Sequence, residues 1–225
     1  MKLFFRGVLF LFLILTVSTQ AAFSQYKTDK KLEGRLKTLI ASFHGTVGIY
    51  VRNLKTGREV AIHADTLFPT ASIIKLPILI GIFNKIQQGL FTYHQPMIYR
   101  DSAARGGSGL MQYFKDSTAV DLRTAITLMI THSDNTAAVW CERLAGGGVT
   151  INNWLADNGF QRTRVNARTA GREPDNKLYG WGQTTPREMA EILVMIRQGT
   201  AVSPAASERM YRILTRIIWD EYALS

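Results

Sequence analysis

Two residues with complementary chemistry stand three apart in Thr70-Ala71-Ser72-Ile73-Ile74-Lys75. On a helix, that spacing puts Ser72 and Lys75 on one face, with Cβ atoms ~5–6 Å apart. A serine hydroxyl is a weak nucleophile until a base takes its proton. Lysine becomes that base once its pKa falls, and both desolvation and the positive end of a helix dipole push it down. The same helix start aims the Ser72 N–H at a developing oxyanion. Further on comes Ser133-Asp134-Asn135. Ser133 can relay a proton to a departing nitrogen, and Asn135 can hold a substrate amide and Lys75. Asp134 suits the turn. All three residue types also favour helix caps, so this motif gains its chemical meaning only beside the first.

These groups need rigid supports. Leu32, Leu36, Leu39, Ile40 and Phe43 recur at helical spacing and predict an amphipathic helix over 29–43. Alternation at Val47, Ile49 and Val51, then at Val60 and Ile62, predicts two strands joined as a hairpin through Leu54-Lys55-Thr56-Gly57. Pro69 ends the next extended stretch. Thr70 is placed to cap a helix running from Ala71 to Gln88 and stopping at Gly89, with a kink expected at Pro77. The Gly-rich Arg105–Gly109 stretch lacks the Gly-Lys-Ser/Thr ending of a phosphate loop and reads as a turn. Leu122, Ala125, Ile126 and Met129 mark another helix, and 135–144 a further one that ends before Gly146-Gly147-Gly148. Thr185-Pro186-Arg187-Glu188 has the letters of a capping box, leading into an apolar stripe of Met189, Ile192, Leu193 and Ile196. Ser203-Pro204 opens the last helix. Its inward face is Met210, Ile213, Leu214 and Ile217, and Arg209, Arg212 and Arg216 read as a solvated face.

Composition narrows the class. The chain has 225 residues, 46% of them hydrophobic and 20% charged, which excludes a disordered chain and a multi-span membrane protein. Lys2 and Arg6, the apolar run Gly7–Val17 and the small residues before Gln25 read as a signal peptide over 1–24. The run is shorter than the ~20 residues of a membrane span, so no stable span is expected after cleavage. A periplasmic or secreted location follows. Residues 25–225 then form the domain. The net charge of +10 comes from residues spread over many segments, so no nucleic-acid partner is expected. Cys141 is the single cysteine, which excludes an internal disulfide. His44, His63 and His94 lack ligand spacing, so neither a metal nor another cofactor is expected. Ser72 has no Gly-x-Ser-x-Gly elbow, which disfavours a Ser-His-Asp triad. Trp154, Trp181 and Trp219 either pack or line a cleft.

In order and context, these features resemble the class A serine β-lactamases and their penicillin-binding relatives over about residues 29–220. The resemblance implies an α+β fold with a helical part inserted into an antiparallel sheet backed by helices. It implies attack by Ser72 on a β-lactam carbonyl, with Lys75 as its general base or proton partner, Ser133 as proton relay and Asn135 as substrate ligand. The partner would be a small β-lactam or a peptidoglycan stem peptide, and the protein a monomer.

Two departures stand out. The family activates its deacylating water with a Glu, but the matching stretch Arg164–Thr169 contains none. Glu173, before Pro174, is the nearest candidate for that base. The family's Lys-Thr/Ser-Gly strand also lacks a counterpart, because Lys55-Thr56-Gly57 falls in the first hairpin. The chain is therefore expected to be incomplete at its C-terminus, lacking strands that carry a second oxyanion donor, whose loss typically costs ~10²–10³ in rate. A cell-wall D,D-peptidase, a slow penicillin-binding protein and a non-catalytic wall-binding fragment stay open beside the hydrolase.

Overall fold

Nine consecutive residues, Lys75–Phe83, are buried. A helix apolar on every side belongs at the centre of a domain. The computed structural model, which describes residues 26–218, builds outward from this helix. The signal-peptide segment and Trp219 lie outside the described residues. The chain begins with β1 (Lys27–Thr28), α1 (Lys30–Ile40), β2 (Ile49–Arg52), β3 (Arg58–Ile62) and β4 (Phe68–Pro69). A short 3-10 turn, Ala71–Ile74, leads into the central helix α2 (Lys75–Gln87). After β5 (Pro96–Ile98) and β6 (Ala119–Asp121) come α3 (Leu122–Thr131), α4 (Asn135–Leu144) and α5 (Gly147–Asp157). Then follow β7 (Arg164–Val165), α6 (Glu173–Tyr179), β8 (Gly182–Thr184), α7 (Pro186–Gln198) and α8 (Pro204–Leu214). Helices α3, α4, α5 and α8 surround α2.

The predicted hairpin is present, with Ile49 opposite Ile62 and Arg52 opposite Glu59. Asn53 shapes its turn by accepting the Lys55 and Thr56 amides on Oδ1, and Gly57 adopts φ +65°. Lys55-Thr56-Gly57 is thus a turn, as expected. The hairpin is not left as two strands. β1 joins β3 in parallel, and a second sheet forms in the order β4-β8-β7. Arg52, paired to Glu191 at 2.7 Å, ties the hairpin to α7.

Several expectations are corrected. Helix α1 contributes no buried residue: Leu39 is 76% and Phe43 60% exposed, since only its Leu32, Leu36 and Ile40 side is partly covered. Val51 lies on the edge strand β2 and is likewise exposed. Among the described residues, Thr70 makes no side-chain cap, and its buried hydroxyl oxygen has no partner. Pro77 is the third residue of α2, inside the first turn, where a missing N–H interrupts no α-helical bond. The break in regularity comes earlier, at the switch from 3-10 to α geometry. Helix α5 is not legible in the sequence because it starts inside the triple glycine. Gly146 takes φ +94°, and a Cβ on Gly148 would overlap the Thr169 hydroxyl.

The capping box is half formed. Thr185 Oγ1 accepts the Glu188 amide at 3.1 Å, but the Glu188 carboxylate turns elsewhere. It accepts the Gln161, Arg162 and Thr163 amides and the Thr163 hydroxyl, at 2.6–3.1 Å. One side chain thereby anchors the segment entering β7. Replacing Thr185 by Ala should cost about 1 kcal/mol, the usual value for a lost N-cap. Glu188→Ala should cost more, about 2–4 kcal/mol, because the buried Thr163 donors lose their acceptor. Urea unfolding of both variants checks the ranking.

Candidate active site

Ser72 lies in the 3-10 turn and Lys75 is the first residue of α2. Residues i and i+3 eclipse in a 3-10 turn, so the two side chains stand one above the other. Lys75 Nζ is 3.2 Å from Ser72 Oγ. The preceding residue, Ala71, has φ +44°. A positive φ in a residue with a side chain is strained, and such strain clusters where function demands it.

Ser133 also has a positive φ, +52°, between the end of α3 and the start of α4. That conformation delivers two oxygens of one residue to the lysine: Nζ is 2.6 Å from the Ser133 carbonyl and 2.9 Å from its Oγ. Asn135 Oδ1 completes the cluster at 2.9 Å. The four residues singled out by sequence therefore meet at one nitrogen. Asp134 holds the turn as expected. Fully buried, it caps α4 through the Ala137 amide and accepts the Leu110 and Met111 amides at 2.6 and 2.8 Å.

The glycine-rich turn does more than its letters revealed. Asn135 donates Nδ2 to the Gly106 carbonyl, and its amide binds the Ser108 carbonyl. A Cβ on Gly109 would overlap the Asp134 Cα. Glycine is needed there because the loop lies directly on the Ser133–Asn135 segment.

Burial of the Lys75 amine lowers its pKa to about 8, against the opposing pull of the Asp134 charge. The helix dipole invoked from sequence is not needed for this. An amine with two N–H groups donated to the Ser133 and Asn135 carbonyl oxygens points its remaining position at the hydroxyls. Once neutral, it can accept the Ser72 proton.

Trp181 is half-buried against the core, and its ring centre lies 5.6 Å from Lys75 Nζ. The two residues that hold it there were missed in the sequence. Trp181 Nε1 donates to Glu142, which is buried and accepts a second bond from Arg168 at 2.6 Å. The Arg168 guanidinium also stacks on the Trp181 ring. Glu142 is seven residues after Asn135 on α4, a spacing that shares a helix face and could have drawn attention. Glu173 does not join the cluster. It is an exposed carboxylate at the start of α6 and accepts the Gly171 amide. A cavity of about 240 Å³ opens beside Ser72 and Ser133, walled by Met129, Leu193 and Leu214.

Residues 31–225 match the model of the Beta-lactamase enzyme family. Among curated relatives, β-lactamase VEB-1 of Pseudomonas aeruginosa is 20% identical over 186 residues, 82% of this chain and 62% of the relative. A β-lactamase of Streptomyces fradiae is 25% identical over 81% of this chain and 60% of the relative. The chain thus spans about three fifths of the length of these relatives. Among solved structures, a mutant of PBP-A, an acyl-enzyme complex with penicillin G, superposes with TM-score 0.77 and 30% identity. It covers 87% of this chain, which spans 72% of it. An ancestral class A β-lactamase superposes with TM-score 0.72 at 24% identity, over 84% of this chain and 73% of the other.

Arg168→Ala should destabilise the chain by about 1–3 kcal/mol, since Glu142 would keep one donor and lose its charged partner. A thermal melt beside Arg168→Lys checks this, with the lysine variant expected to recover part of the loss.

Proposed function

We propose that this chain, which belongs to the Beta-lactamase enzyme family, is a serine acyl-transfer enzyme of the β-lactamase type. The observation that carries the reading is the convergence of Ser72, Ser133 and Asn135 on one buried, easily deprotonated lysine. Neutral Lys75 takes the Ser72 proton as Oγ attacks the β-lactam carbonyl. The tetrahedral oxyanion faces the Ser72 N–H, in the first turn of a helix where amides have no intrahelical acceptor. The carbon–nitrogen bond then breaks. The proton on Lys75 passes through Ser133 Oγ, 2.9 Å away, to the leaving nitrogen. Asn135, fixed by Lys75 and the Gly106 carbonyl, holds the substrate amide. Water finally cleaves the Ser72 ester, and the Ser72 proton is restored.

A second reading concerns the speed of that last step. Among the described residues, no carboxylate hydrogen-bonds to Ser72, Lys75 or Ser133, and Glu173 is engaged elsewhere. This keeps a slow-releasing penicillin-binding protein in view beside the hydrolase. The likeness to the mutant of PBP-A solved as a penicillin G acyl-enzyme supports acylation by penicillin. The N-terminal run after Lys2 and Arg6 supports action in the periplasm or outside the cell.

Labelled penicillin tests both readings. Ser72 should be acylated, Ser72→Ala should abolish labelling, and the adduct should persist for minutes. Labelling that survives Ser72→Ala removes the serine from its role, and rapid loss of label rejects the slow-release reading. Because Lys75 must be neutral to act, the acylation rate should rise with pH and level off above about 8. Stopped-flow acylation between pH 6 and 10 measures this.

A further inference from the structure

A cleft of about 490 Å³ lies between α3, α8 and the loop holding Tyr93 and His94; its wall includes Thr131 and His132, just before Ser133, but not Ser72, Lys75 or Ser133. Arg123 enters it from α3, and Arg209 and Arg212 from α8. Arg216 continues the row in the turn just beyond. Residues 209, 212 and 216 are three and four apart, so the supposed solvated face is one stripe directed at the cleft. Like charges at that spacing repel and weaken a helix. Their nearby counter-charges are sparse. Glu208 meets Arg212 at 3.3 Å with both side chains 62% exposed, and Asp121 lies 3.5 Å from His94. Among the described residues, Arg123, Arg209 and Arg216 form no ion pair.

The geometry suits an anion. Arg209 holds its guanidinium 4.5 Å from the Tyr93 ring centre, a cation–π contact, and among the described residues its N–H groups donate no hydrogen bond. Guanidinium forks match phosphate oxygens two at a time. At helical rise, the row from 209 to 216 is roughly 10 Å long, more than a single phosphate fills. We infer that this cleft binds a ligand carrying two or more phosphate groups, a chemistry shared by free polyphosphates and clustered anionic lipid headgroups. The inference does not depend on the chemistry assigned to Ser72.

Calorimetry of the full chain with tripolyphosphate, at constant ionic strength, tests it. Saturable binding is expected, and Arg209→Gln with Arg216→Gln should weaken it about tenfold or more. Removing the same charge at Lys30 and Lys55, far along the chain, should leave it unchanged. Vesicles of phosphatidylglycerol, against phosphatidylcholine, separate the sources. Binding to the former alone assigns the headgroups, and binding to tripolyphosphate without vesicles assigns the free ligand. No binding to either, or equal weakening by the Lys30 and Lys55 changes, overturns the inference. So does binding that appears only after Asp220→Asn with Glu221→Gln, since the chain's own carboxylates would then be the occupant. Melting curves of each variant confirm that it is folded.

Discussion

A primary amine removed from water is the constraint around which this molecule is arranged. Lys75 begins the most deeply buried helix of the fold, so its stem follows the core while its nitrogen stops among oxygens. Burying an ammonium without partners is costly, and proteins answer by neutralising the group or surrounding it with acceptors. Here both occur. Three oxygens within 2.9 Å come from only two residues, and the pKa falls to about 8. At neutral pH about a tenth of such groups is uncharged, enough to act as a base without abandoning the hydrogen bonds that place it.

Holding that arrangement needs strain, and the strain needs support. Ala71 and Ser133 both sit at positive φ, one on each side of the amine. A residue in that region costs of order 1–3 kcal/mol and persists only where its surroundings over-determine it. At Ser133 the support is Asp134, whose carboxylate takes three amides from two segments. The glycine-rich loop leads directly into the two residues that donate two of those amides. Its close approach requires Gly109, which links a conformational freedom in one loop to the position of a hydroxyl in another.

The reacting residues were legible because their chemistry is local. Ser72 and Lys75 share a turn, Ser133 and Asn135 share another, and the intervening helices announced themselves by period. The supports were less legible because they depend on long-range contact. Glu142 looked like an ordinary helix residue until Arg168 and Trp181 came to meet it. Glu188 spelled a capping box, yet three backbone amides from residues 161–163 outcompete the single one at its own helix start. The triple glycine hid a helix, since propensity argues against one there and only the contact with Thr169 makes a side-chain-free position necessary. Glycine content in Arg105–Gly109 correctly indicated a turn, but not that the turn would lie on the catalytic segment.

Making the acyl bond and breaking it draw on different groups. In the proposed reaction, attack on the carbonyl uses groups that already touch: Ser72, Lys75 and Ser133. Release requires a base that can reach a water molecule on the ester. Of the two buried carboxylates near the site among the described residues, Asp134 is committed through both oxygens to three amides, whereas Glu142 takes a guanidinium and an indole on Oε2 alone. An acceptor whose lone pairs are filled by fixed donors can take a water proton only by giving up those bonds, and for a buried group that exchange is uphill. In the proposed reaction, the group with an open position already beside the ester is the lysine, which has just passed its proton to the leaving nitrogen. It can serve release only from the same side as attack, where the new acyl group now stands. An arrangement well matched to the first half of a reaction can therefore be poorly matched to the second, because attack uses groups already in contact whereas release needs a base placed on a water molecule.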